Sequence, residues 1–591
     1  MGVIYIKEIF EDKINKYKKE LDKQKNTYDK IGYLRLLIFI GLIYFLYNKM
    51  ILGISICVVI FIMVLVYHSM IKENMRLAQD MIDINHRYIM RISGEWTEFE
   101  ETGEEFINKD HAYSFDLDIV GDKSLFQLIN ITNTFPGKSA LRDLLMKPVL
   151  KKEEINKNQE ATRELGDKLD FCQQLEHIGI RNKGKFKNPQ KLLAYSRKNS
   201  RFIKSDILRK VIYYMPVITI PLSLIIIVFK LGSLKALMYG LLFIQLIAWA
   251  ANAMKLAAAL SDIQCSKNML GDYSKIIDLV SKEEFTSDRL NTIKRNLVEG
   301  EKSARKGIKK LMSIADRIDI RNNGLLYIML NILFLWDYQC IFSIEQWRSE
   351  YGLMVEGWLN DIGSIEAFAS IAVLNHISAG VYPEISDNSL EVTATNLGHP
   401  LIPQDERVCN DVNMNNNIMI ITGSNMSGKT TFLRTIGINL VLAYAGGMVT
   451  AGRMKASVMD ICTSMRISDN LHEGVSTFYG ELVRIKTIID KADESNKMIF
   501  LIDEIFRGTN SKDRIMGAVT VLKHLNEAGV IGAITTHDME LCILDESKGI
   551  NNYHFEEYYK DDKIYFDYKL RSGQSNTTNA KFLMKMVGIK M

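Results

Sequence analysis

None of the seven cysteines in this 591-residue chain stands in a Cys-x-x-Cys pair. Cys57, Cys172, Cys265, Cys340, Cys409, Cys462 and Cys542 are scattered, which offers no local zinc site and fits a reducing compartment. Proline is scarce too, with eight residues, and no Ser/Gly-rich tract occurs, which argues against long flexible linkers. Nor is there an excess of one charge: Lys and Arg number 74 against 70 Asp and Glu, a net +4, so composition does not mark a nucleic-acid binder. A charged fraction of 24 % beside a hydrophobic fraction of 47 % excludes both wholesale disorder and a pure membrane bundle. The length admits roughly two to four domains.

What the chain does contain is long uncharged runs. "VIYYMPVITIPLSLIIIVF" (211–229) has three relatives: "LLIFIGLIYFLYN" (36–48), "ILGISICVVIFIMVLVY" (51–67) and "ALMYGLLFIQLIAWAANAM" (236–254). A membrane-crossing helix needs about 17–25 mostly apolar residues. The last two of these relatives and the 211–229 run meet that, and the 36–48 run does so once Ile31–Tyr33 and a snorkelling Arg35 are added. A soluble helix shows a polar stripe, whereas these segments are apolar all round. Pro216 and Pro221 would harm a soluble helix but are tolerated in a membrane helix. The expectation is two transmembrane helical hairpins, not a buried hairpin of a soluble core. A Lys-rich polar leader precedes the first run, unlike a cleavable signal peptide. That leader and "RKNSRFIKSDILRK" (197–210) are strongly basic, while the hairpin tips hold only Lys49, Lys230 and Lys235. Both termini and the stretch between the hairpins are therefore expected in the cytoplasm.

The chemistry is concentrated in the last third. "NIMIITGSNMSGKTTFLRTIGINLVLAYAGG" reads as a strand over Ile418–Thr422, a glycine-rich turn and a helix, the context in which G-x-x-x-x-G-K-[ST] carries meaning. Gly423 and Gly428 let the backbone wrap a phosphate, and the helix N-terminus adds partial positive charge. Gly423, Ser424, Asn425, Met426, Ser427, Gly428, Lys429, Thr430 and Thr431 form the expected ATP-binding set. Lys429 is expected to reach the β- and γ-phosphates. In "KMIFLIDEIFRGTN" (497–510) an apolar strand ends in two carboxylates. Asp503 suits Mg²⁺, shared with Thr430, and Glu504 suits polarising the attacking water. "VIGAITTH" (530–537) is a third strand, ending in His537, a candidate γ-phosphate sensor at the carboxyl edge of the sheet. Ser476 and Thr477 read as an N-cap, or more sharply as a signature element turned toward ATP in a partner subunit.

From about Ser378 onward the chain resembles the ATPase domain of the MutS mismatch-repair family, an ABC-type ATPase. The likeness is carried by "GHPLIP", "ITGSNMSGKTTFLRTIGINLVLAYAGGMVTA", "SDNLHEGVSTFYGEL", "IDEIFRGTNSKD" and "TTHDMEL". The family's loop typically reads G-P-N-M-G-G-K-S-T. Here Ser424 replaces the proline, Ser427 a glycine and Thr430 the serine, and Phe506 replaces a usual glycine before "RGT". Upstream, "GDKSLFQLINITNTFPGKSALRDLLMKP" (121–148) and "WLNDIGSIEAFASIAVL" (358–374) resemble the family's helical core.

The resemblance implies a homodimer with two composite ATP sites. Each combines Lys429, Thr430, Asp503 and Glu504 of one subunit with Ser476 of the other. Taken with the apolar runs, it gives an expected multidomain α plus α/β fold in parts. Residues 1–33 are a basic cytoplasmic helix, 34–69 the first transmembrane hairpin, 70–210 a linker and the first part of the helical core, and 211–254 the second hairpin. Residues 255–377 are helical levers or a reduced clamp, and 378–591 the P-loop ATPase domain. A mismatch-reading member also carries an N-terminal Phe-x-Glu wedge. "FEE" occurs at Phe99–Glu101 and Phe555–Glu557, as short chance matches outside any such domain. The Lys/Arg cluster from Lys294 to Lys310 is a solvated helix face with paired charges, or else a phosphate-tracking surface. Two functions are thus expected. One is a membrane-anchored ATPase whose levers act on double-stranded DNA that is mismatched, branched or damaged. The other is an ATP-driven motor acting on the membrane or a membrane protein, with no DNA role.

Overall fold

A computed structural model describes residues 2–147, 149–180, 188–198, 201–387, 389–424, 426–466, 477–506, 510–544, 549–560 and 563–574. The chain divides into two compact units, one formed by Met1–Ile131, Leu141–His177 and Ala367–Met591, the other by Thr132–Ala140 and Ile178–Glu366.

The first unit opens with a hairpin of two long helices, α1 (Gly2–Tyr47) and α2 (Ile51–Ser93). Lys49, with φ of +53°, turns the chain between them. Pairs such as Phe10–Tyr88, Arg35–His68 and Phe39–Phe61 zip the helices antiparallel. The basic leader and the first apolar run form one continuous helix, with no break near residue 33. Toward the polar end Phe10, Ile14, Ile84 and Tyr88 are buried, whereas in the apolar runs Leu37, Ile40, Ile62 and Met63 are exposed.

The same unit contains two sheets built from β1 (Glu384–Ser386), β2 (Glu391–Leu397), β3 (Asn410–Asn415), β4 (Ile418–Thr422), β5 (Arg453–Ser457), β6 (Asp460–Ser464), β7 (Met498–Asp503), β8 (Ile531–Thr536), β9 (Ile550–Lys560) and β10 (Lys563–Ser572). The smaller sheet has the order β1-β5-β2-β3 and the larger β10-β9-β4-β8-β7-β6. In the larger sheet every pairing is parallel except β10 on β9. Strands β4, β7 and β8 are buried at every residue, and "IMIIT", "MIFLID" and "IGAITT" are accordingly near-continuous apolar runs. Gly532 on β8 has a local cause, since a Cβ there would collide with the carbonyl oxygen and ring of Phe500. The register pairs Thr422 with Thr536 and Asp503 with Thr535, so the segments leaving β4, β7 and β8 emerge along one edge.

The second unit is helical. It contains α3 (Asp206–Val228), α4 (Lys235–Ala250), α5 (Ala253–Lys282), α6 (Ala304–Asp319), α7 (Gly324–Phe334), α8 (Trp336–Tyr351) and the start of α9 (Val355–Ile377). Helices α5, α6 and α8 share a core that includes Leu270, Ile276, Leu311, Ile314, Ile344 and Trp347. In α3 and α4 the buried polar pair Gln245 and Thr219 is joined at 3.0 Å, with the amide donating. Part of the Lys/Arg cluster is paired: Lys294 donates to the Glu283 carbonyl, Arg305 and Lys309 face Asp278, and Lys310 meets Glu350. Among the described residues four helices are long and apolar enough to cross a membrane: Ile6–Tyr47, Ile51–Ser93, Asp206–Val228 and Gly232–Ala250.

Within this unit, buried Glu366 of α9 accepts from the Asn133 backbone N–H at 2.9 Å and from the Thr134 hydroxyl, at the start of the helix that begins at Phe135. Burial outweighs these donors and pushes its carboxyl up to about 7. The folded state thus holds the proton that the unfolded state releases near its ordinary value of 4.5. The stabilisation from that proton is complete below the unfolded value and is lost as pH rises through the folded one. Unfolding midpoints in detergent are expected to record a loss of about 3 kcal/mol between those two values, and Glu366→Gln is expected to remove that slope.

Candidate functional site

The segment between β4 and the following helix α10 (Lys429–Ala445) folds as a tight wrap. Gly423 has φ of +148° and Gly428 of +101°, and a Cβ would lie 3.0 Å from the Phe555 carbonyl oxygen at the first and 3.0 Å from the Tyr568 ring at the second. Both positions therefore need glycine for conformation and for space. The buried Lys429 donates to the carbonyl oxygens of Gly423 and Ser424, each at 2.8 Å, and its Nζ lies 3.4 Å from His537 Nε2. The Ser424 hydroxyl donates to Glu557. Met426, with φ of +73°, stands exposed above the loop, while the Ser427 hydroxyl is buried without a hydrogen-bond partner among the described residues.

Two further strand ends complete the arrangement. The Thr430 hydroxyl donates to Asp503 Oδ2 at 2.9 Å, and Thr535 donates to Asp503 Oδ1 at 2.6 Å. Glu504 adopts φ of +55°, a conformation that costs a non-glycine residue roughly 1 kcal/mol or more. Its N–H donates to the Thr535 carbonyl at 3.1 Å, and its Oε1 lies 2.6 Å from His537 Nε2. Arg514 of α12 (Ser511–Glu527) forms a bidentate pair with Asp538, both bonds 2.7 Å, beside His537. Next to the loop lies a pocket of about 520 Å³, walled by Ile402, Val408, Phe432, Phe555 and Tyr568 and reaching Thr431 and Glu504.

The structure thus gathers Gly423, Ser424, Met426, Ser427, Gly428, Lys429, Thr430, Thr431, Asp503, Glu504 and His537 at one sheet edge. Asn425 and Ser476 lie outside the described residues. The helix expected after Ser476 is present as α11 (Thr477–Glu494). Neither "FEE" is a projecting wedge: Phe99 lies under the guanidinium groups of Arg87 and Arg91, and Phe555 is buried against the loop.

Residues 419–589 match the family model described as MutS domain V. Over this stretch the chain is similar to MutS domain V. Curated relatives include the DNA mismatch repair protein MutS of Lachnoclostridium phytofermentans, 30 % identical over 269 residues, which is 44 % of this chain and 28 % of that protein. The protein of the same name from Leptospira interrogans is 28 % identical over 340 residues, 54 % of this chain and 35 % of the relative. DNA mismatch repair protein MutS 2 of Halobacterium salinarum is 28 % identical over 262 residues, 43 % of this chain and 30 % of the relative. The chain spans about a third or less of the length of these MutS proteins.

The departures from the usual MutS pattern have local explanations. Ser424 gains Glu557 as an acceptor. Phe506 keeps the left-handed backbone that a glycine adopts freely, with φ of +61°. Its N–H donates to buried Glu481 of α11, and its ring meets Phe478 and sits where a Cβ on Gly517 would clash. The ring's burial offsets the backbone strain, roughly 1.5–3 kcal/mol against about 1–2.

Sequence reasoning missed Thr535, Phe555, Glu557 and Tyr568, which no phosphate motif marks. It also missed Asp116 and Asp118. Asp116 is fully buried and accepts from the Thr463 hydroxyl at 2.7 Å, the N–H groups of Met465 and Arg466, and Arg484. Asp118 joins Arg466 to Arg434 of α10. Their only trace is the acidic alternation in "FDLD", because their partners lie more than 300 residues downstream. Asp116→Ala leaves Arg484 and two backbone donors uncompensated, and chemical denaturation is expected to show a loss of about 3–5 kcal/mol.

Proposed function

We propose that this chain is a membrane-anchored MutS-like ATPase that binds and hydrolyses ATP as a homodimer and couples turnover to movement of helical levers. The observation that carries this reading is the convergence of Lys429, Thr430, Asp503, Glu504 and His537 around one glycine-rich wrap. The loop N–H groups, the start of α10 and Lys429 would hold the phosphates, and the orphaned Ser427 hydroxyl faces the same loop. Thr430 and Asp503 are adjacent hard oxygen donors and fit Mg²⁺. Once bound, the ion would neutralise charge on the β- and γ-phosphates. Among the described residues no group of three or more His, Cys, Asp or Glu could hold a metal by itself. Glu504, fixed through Thr535, would orient the attacking water, and His537 would link Glu504 to Lys429 and so register the γ-phosphate. Ser476 of the second subunit would complete each site.

Membrane anchoring is supported by four apolar helices whose outer faces are exposed, among them Ile43, Ile62, Val217 and Ile244. With the basic stretches on one side of each hairpin, the termini and the ATPase domain would be cytoplasmic, making a four-span multi-pass protein. Double-stranded DNA, mismatched, branched or damaged, is the target assigned by likeness to the MutS relatives. A second reading is favoured by those same exposed helices: an ATP-driven motor acting on the membrane or a membrane protein, without DNA.

Lys429→Ala is expected to abolish nucleotide binding, measured with a fluorescent ATP analogue. Glu504→Gln is expected to retain ATP and the dimer while turnover falls about 10²- to 10⁴-fold; normal turnover would remove Glu504 from that role. Binding of the purified full chain to homoduplex, mismatched and branched DNA, with and without ATP and across a salt series, separates the two readings. A steep salt slope with preference for one DNA form supports the first, and no binding at low salt assigns the protein to the second.

A further inference from the structure

The second unit contains an apolar element besides α3 and α4. Helix α7, "GLLYIMLNILF", is flanked by Arg321 and Asp337 with no charged residue between them. Its 11 residues rise about 16 Å, roughly half of a hydrocarbon core, so it cannot span one alone. It packs against α4 and α3, the helices suited to cross the membrane. Leu325 is 81 % exposed, Ile328 49 % and Met329 45 %.

The polar groups of α7 are all turned the other way, onto protein. Tyr327 donates from its hydroxyl to Asp337 at 2.8 Å, and the Arg321 guanidinium lies over its ring. Buried Asn331 accepts from the Asp337 N–H at 3.0 Å and donates to the Tyr327 carbonyl. Trp249, at the end of α4, meets both ends of the arrangement: its ring is 5.6 Å from Tyr327, and its indole N–H donates to Asp337 at 3.3 Å. Tyr338 donates to the Ala248 carbonyl beside it, and Trp336 to the Arg317 carbonyl. Leu335, at φ of +50°, then bends the chain by 76° into α8, which returns to the bundle core. Trp and Tyr with flanking arginines, gathered at the end of a crossing helix, are the composition of a membrane–water boundary. An apolar face beyond that level, with Tyr327 and Asn331 hydrogen-bonded on the inner side, is what an interfacial helix presents to acyl chains.

We propose that α7 is an interfacial membrane helix that places Leu325, Ile328 and Met329 in the cytoplasmic leaflet and is clamped to α4 through the Trp249–Tyr327–Asp337 cluster. This rests on the membrane reading of α3 and α4. The test uses the full chain in phosphatidylcholine–phosphatidylglycerol vesicles, with benzoylphenylalanine replacing Leu325 or, separately, Met329. Val217 on α3 is the reference for a crossing helix, and Lys523 on α12 the reference for water. After illumination, mass spectrometry is expected to find lipid adducts at 325 and 329 with a yield like that at 217, and none at 523. Lipid adducts at 217 but none at 325 and 329, or cross-links from 325 and 329 to protein in place of lipid, overturn the proposal and leave the membrane reading intact. Absence of lipid adducts at 217 as well overturns both.

Discussion

The carboxylate of Asp503 is gripped from two sides, by the hydroxyl of Thr430 at the start of α10 and by that of Thr535 on β8. Those two bonds require β7 and β8 to be parallel and in the register that sets Asp503 opposite Thr535. They also require β4 to lie on the far side of β8, so that the loop and α10 return over the same edge. A parallel sheet is what makes this possible, because every strand then ends on the same side. Glu504 inherits its position from the same register, since its backbone N–H is anchored on Thr535. An antiparallel pairing of β7 would send Asp503 and Glu504 to the opposite edge, away from Lys429.

A second constraint governs the helices. Both units contain a hairpin whose outer surface is apolar over a length suited to a bilayer, and each hairpin is continuous with helices that bury polar or charged contacts nearby. Arg35 with His68 in one hairpin, and Asp337 with Trp249 beside the other, mark where the apolar faces give way to hydrogen-bonding ones. Burying such faces against protein would need partners that the described residues do not supply. Lipid would satisfy them without any. The second hairpin lies within the helical sequence that precedes the ATPase domain, which sets this chain apart from a MutS protein with a membrane tether added at one end.

Elements set by local chemistry were legible from residues alone. The four apolar runs, the β4–loop–α10 unit, and the strands ending at Asp503 and before His537 all appear where hydrophobic run length and glycine placement put them. Glycines 423 and 428 both stand at positive φ, where a Cβ would also press on Phe555 or Tyr568. Helix α7 carried no membrane signal of its own, because an eleven-residue, mostly apolar helix reads equally well as buried core. Phe506 was visible as a departure but not interpretable until its backbone angle and the cleft at Gly517 were seen.

The sequence by itself determined where the glycine-rich loop and its flanking strands lie, which segments are uncharged, and that the C-terminal part resembles MutS domain V, since each depends on neighbours within about one helix or strand. Tertiary structure alone decided that Asp116 and Asp118 bind arginines of α10, of α11 and of the segment after β6, all far downstream. It likewise decided that Phe555, Glu557 and Tyr568 close over the loop and that α7 leaves its apolar face outward. Those outcomes turn on strand order and on which helix face finds a partner. Both arise from contacts between segments hundreds of residues apart, for which local periodicity carries no signal.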